Sequence, residues 1–158
     1  MASDTTPRDL LARVLDWEDA HAGFDKAVAG IPPELRGKKP RALPYSAWQI
    51  VEHIRIAQHD ILDFCRNPRY RAMKWPDDYW PASPEPPSTD AWDRSIRGWR
   101  RDRRALQTLA KDRTLKLDAR IPHGSGQTYL RELLLVADHT AYHVGQLVLV
   151  RRLLGIWE

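Results

Sequence analysis

A chain of 158 residues, 42% hydrophobic and 29% charged, has the length and balance of one globular domain with a buried core, spanning residues 1–158. A formal net charge of +4, no uninterrupted apolar run of about 18 residues and a polar start without a signal-peptide core argue against membrane-spanning and exported classes. The lone Cys65 excludes an internal disulfide and points to a reducing cytoplasm.

The first amphipathic pattern covers residues 7–30. Thr6 is its N-cap, Pro7 its first helical position, and Gly30 lies near its end. Leu11, Val14, His21 and Val28 form its inward stripe, together with Glu18 and Asp25. A proline- and lysine-containing loop follows. The second pattern, residues 46–67, opens on Ser46 and carries Ile50, His53, Ile56, Asp60, Ile61 and Phe64 on one face. Residues 68–88 form a long Pro- and Trp-rich connection whose Trp75, Tyr79 and Trp80 need a surface to lie on.

The third pattern, capped by Ser88 or Thr89, runs to Lys111 and is rich in arginine between 94 and 104. Asp93 and Asp102 interrupt that run and the helix is amphipathic, so it reads as a solvated face, not a nucleic-acid patch. Arg103 falls on the apolar stripe as a snorkelling or ion-paired side chain. The fourth pattern, residues 128–154, places Leu135, Val136, His139, His143, Gln146, Leu147 and Val150 on one wide face. These elements predict an all-α four-helix bundle. The long link between the second and third helices is expected to act as a crossover, giving an up-down-down-up course.

His139 and His143 stand four residues apart, so in a helix both imidazoles share one face. His53 points inward from the second helix at a comparable depth. Three buried imidazoles without a metal would each need a hydrogen-bond partner in a dry core. A His₃ set suits Zn²⁺, Ni²⁺ or Fe²⁺ and leaves a coordination position for a water. His53, His139 and His143 are therefore the expected metal ligands. His21 is the candidate catalytic proton shuttle, and Asp25, Asp60 and Gln146 are candidates to orient the ligands. His59 lies off this face, His123 falls in a loop, and Cys65 has no neighbouring base.

The run Ser46-x-Trp48-Gln-Ile-Val-Glu-His53, with His139-x-x-x-His143-x-Gly145-Gln146 in the fourth helix, resembles the DinB-like (YfiT-like) superfamily of up-down-down-up four-helix bundles. The likeness extends over nearly the whole chain, including the tail Arg151-Arg-Leu-Leu-Gly155. The resemblance implies a divalent metal, commonly zinc or nickel, on His53, His139 and His143. It also implies a frequent homodimer and an activity against a small-molecule substrate, either hydrolysis or transfer of a low-molecular-weight thiol such as bacillithiol or mycothiol. The other expectation is a non-catalytic metal- or ligand-binding dimer with a stress-related accessory role. Neither reading involves nucleic acid or a membrane.

Overall fold

The computed structural model describes residues 6–158. They form an all-helical domain of five α-helices: α1 (Pro7–Val14), α2 (Phe24–Val28), α3 (Ala47–Arg66), α4 (Ala91–Lys111) and α5 (Tyr129–Leu153). Short 3₁₀ turns lie at Pro33–Leu35 and Asp77–Tyr79.

Local chemistry sets most of the helix starts. Thr6 caps α1 by accepting from the Asp9 amide, with Pro7 at the first helical position. Ser46 and Gln49 form a reciprocal capping box at the start of α3. Thr128 caps α5 by accepting from the Arg131 amide. At α4 neither expected cap, Ser88 or Thr89, holds the N-cap position: Asp90 does, accepting from Ser88 and Arg94, and the helix begins at Ala91.

The first predicted helix is not continuous. α1 stops at Val14, and the chain runs through bends and turns until Gly23 precedes α2. Asp16, Glu18 and Asp19 explain the break. Acidic side chains after the last turn oppose the negative end of the helix dipole, and aspartate is a weak helix former. Tertiary partners hold the segment open: Asp16 pairs with Arg103, and Asp19 with Arg13 at 2.6 Å. Beyond the break, Phe24 stacks on Trp99 with ring centroids 3.8 Å apart.

Two apolar clusters fill the interior. One gathers Phe24, Trp48, Ile54, Trp92, Trp99 and Leu147; the other gathers Leu11, Leu62, Leu106 and Leu133. Along α5 the histidines occupy the stretch between Val136 of the second cluster and Val144 of the first. The polar centre thus sits at the junction of two apolar clusters.

By length and composition α5 would be apolar enough to cross a membrane, which counting uninterrupted apolar runs passes over. It also carries Glu132, Asp138, His139 and His143 and takes part in both clusters, the pattern of a central bundle helix.

A three-histidine centre

α3 and α5 bring His53, His139 and His143 together, with their ligating nitrogens all within 4.8 Å of one another. His53 Nε2 lies 3.0 Å from His143 Nε2 and 3.0 Å from His139 Nε2. His53 and His143 are buried and His139 is partly buried.

The outer nitrogens fix the tautomers. His53 Nδ1 donates to the Tyr79 carbonyl at 2.8 Å, and His143 Nδ1 donates to Gln146 Oε1 at 2.7 Å. The NH₂ of the Gln146 amide faces the Tyr142 hydroxyl at 3.4 Å. A neutral imidazole with its proton on Nδ1 presents a bare lone pair on Nε2. Two such lone pairs facing each other at 3.0 Å repel, and a cation between them removes the conflict. Tetrahedral ligation at about 2.0–2.1 Å separates ligand nitrogens by about 3.3 Å, so an opening of a few tenths of an ångström accommodates an ion. The three residues fit a divalent metal.

Electrostatics agree. Burial pushes the His53 pKa down to about 4, offset in part by the Tyr79 carbonyl and reinforced by His143. Burial and then the two neighbouring imidazoles lower His139 to about 3. Burial lowers His143 as well, against its bond to Gln146. All three rings are neutral at pH 7, the form that binds metals.

The long connection supplies the walls. Trp80 stacks on His53 with centroids 3.7 Å apart and planes 5° from parallel, and Tyr45 stacks on the far face of Trp80 at 4.2 Å. Gln49 donates to the Pro81 carbonyl at 3.2 Å and Ser46 donates to the Pro84 carbonyl, tying the segment to the start of α3. Asp60 accepts from the hydroxyls of Tyr70 at 2.9 Å and Tyr79 at 2.6 Å. It therefore braces the residue whose carbonyl orients His53. The aromatic residues of this segment were legible as ordered. The orienting carbonyl of Tyr79 was not, because side-chain identity carries no signal for a backbone contact.

Other candidates fall outside the centre. His21 is exposed in the bend before α2, its Nδ1 2.9 Å from the Ala22 carbonyl oxygen. It borders a separate cavity of about 410 Å³ with Trp17, Phe24 and Asp138. Its expected inward position depended on the continuous first helix, so the assignment as proton shuttle loses its geometric support. Asp25 pairs with Arg100 and Arg103 instead of a histidine. Arg103 also lies over the Trp99 ring. His59 pairs with Asp102 at 2.8 Å and His123 with the Phe64 carbonyl, both away from the centre as expected. Burial pushes the Cys65 thiol up to about 12, consistent with an unreactive cysteine.

Fold and site together define a helical domain built around a three-histidine centre. The family model of the DinB superfamily matches residues 16–147, and the chain belongs to that superfamily. Neither the curated proteins nor the solved structures contain a match to the chain.

Proposed function

We propose that the protein is a metal-dependent enzyme that activates a water or a low-molecular-weight thiol against a small electrophilic substrate. Nε2 of His53, His139 and His143 would hold zinc or nickel. Bound there, such an ion supplies Lewis-acid chemistry and lowers the pKa of either nucleophile toward neutrality. The chain's own part is to keep the three rings neutral, aim their lone pairs inward and exclude bulk water with Trp80 and Tyr45. The observation that carries this reading is the pair of tautomers fixed by the Tyr79 carbonyl and Gln146, which leaves two lone pairs facing each other at 3.0 Å.

The same reading takes the up-down-down-up course of the superfamily, with the segment between α3 and α4 as the crossover. Its support is the length of that segment and the antiparallel run of α3 against α5: His53 meets His139 and His143, while Asp60, further along α3, shares a cavity with Glu132, earlier on α5. A homodimer belongs to it too. Leu134, Tyr142, Leu149 and Leu153 are exposed and, at 100° per residue, fall on one stripe of α5. That stripe equally suits the second reading, a metal-binding dimer without turnover.

Metal analysis of protein purified without an affinity tag tests the centre. About one zinc or nickel per chain is expected, and the double variant His53→Ala/His143→Ala should bind none. Stoichiometric metal in that variant would refute the ligand set. Turnover of thiol-acceptor pairs or model esters by the loaded protein separates enzyme from binding protein.

A further inference from the structure

A cavity of about 700 Å³ opens beside His139, between α3, α5 and the segment that follows α3. That volume suits a small organic molecule. Phe64, Tyr70, Trp75 and Tyr79 line it, and Asp60 and Glu132 supply its carboxylates. Phe64 and Tyr70 meet edge to face at 5.1 Å, and Trp75 and Tyr79 at 5.2 Å. Trp75 is 68% exposed, so the aromatic lining is open to solvent on its side.

The charge of the cavity is one-sided. Its acidic and basic side chains are two carboxylates and one guanidinium, a formal balance of −1 with His123 and His139 counted neutral. Glu132 is 3% exposed, and Arg131 spends one amino group on it at 2.5 Å while the rest of that side chain, 57% exposed, reaches solvent. Asp60 is held by two phenol hydroxyls, which orient its carboxylate without neutralising it. His123 turns its Nε2 to the Phe64 carbonyl. Aromatic faces carry a negative quadrupole, so aromatic walls with a net negative floor attract a cation and repel an anion.

We propose that this cavity binds an organic cation, an amine or quaternary ammonium group, as the far end of the substrate whose reacting group lies at the three histidines. Asp60 stands seven residues beyond His53 on α3, and Glu132 seven residues before His139 on α5. Seven residues are about two turns, so the cationic group lies about 10 Å from the reacting group. That the cation belongs to the substrate rests on the metal reading above; the cation site itself does not.

Titration calorimetry with benzyltrimethylammonium, phenylacetate and benzyl alcohol tests it, on zinc-loaded and on metal-stripped protein. The cation should bind at least tenfold more tightly than the anion or the alcohol in both states. Trp75→Ala and Asp60→Asn should each weaken it about fivefold. Trp75 is exposed, so its variant leaves the core intact and keeps the test valid should Asp60→Asn fold poorly. Equal or tighter binding of phenylacetate, or a cation affinity unchanged by Trp75→Ala, overturns the proposal. Metal content measured on the same samples keeps the two readings apart. Cation selectivity in a protein that takes up no metal upholds the cavity and sinks the enzyme reading; metal uptake without selectivity sinks the cavity and leaves the metal centre standing.

Discussion

The metal-free protein should be acid-labile in a way that depends on His53. In the unfolded chain this imidazole titrates near 6.5; in the fold its pKa lies at about 4, chiefly because burial disfavours the charged form. The unfolded state therefore takes up a proton first. The fold keeps its full contribution above pH 6.5 and loses it progressively as the pH falls through 4. A gap of about 2.5 pH units at about 1.4 kcal/mol each amounts to about 3 kcal/mol, with no discount for solvent screening because His53 is 1% exposed. His139, lowered to about 3, and His143 act in the same direction. Urea unfolding of metal-stripped wild type and His53→Gln at pH 7, 6, 5 and 4 measures the effect. The glutamine keeps a donor for the Tyr79 carbonyl but does not titrate. Wild type should lose about 3 kcal/mol more than the variant between pH 7 and 4. The His59–Asp102 pair has the opposite sign for its histidine, whose raised pKa adds stability below 6.5 that is lost as the pH rises. Both proteins retain that pair, so it cancels in the difference. Parallel pH profiles for the two proteins would refute the buried neutral cluster.

Gln146→Leu leaves the His143 Nδ1 proton without its acceptor. Zinc affinity, read by competition with a chromophoric chelator, should fall about 10- to 100-fold, and an unchanged affinity would remove Gln146 from the centre. Ser46→Ala removes both the α3 capping box and the bond to the Pro84 carbonyl. The urea midpoint should drop by the equivalent of about 1–2 kcal/mol at constant m-value, and no shift would mean that neither bond matters.

The sequence made the three-histidine cluster readable because the signal and the structure share one period. Ser46 with Gln49 fixes where α3 begins, Thr128 fixes α5, and both helices then run unbroken past the histidines, so faces counted at 3.6 residues per turn are real faces. The same counting failed at His21, because Asp16, Glu18 and Asp19 end α1 and the register was carried across a break. A helix-period argument is only as good as the continuity it assumes. What holds the break open is tertiary: the guanidinium of Arg103, far along the chain, takes Asp16 and Asp25. The residues around the three histidines divide in a related way. Gln146 was readable because it lies one turn after His143, on the same helix. The Tyr79 carbonyl that orients His53 comes from 26 residues away through a backbone group every residue possesses. Side-chain identity therefore marks the three imidazoles that converge. The geometry that keeps their lone pairs converging is written largely in the path of the Pro- and Trp-rich segment, which only the fold displays.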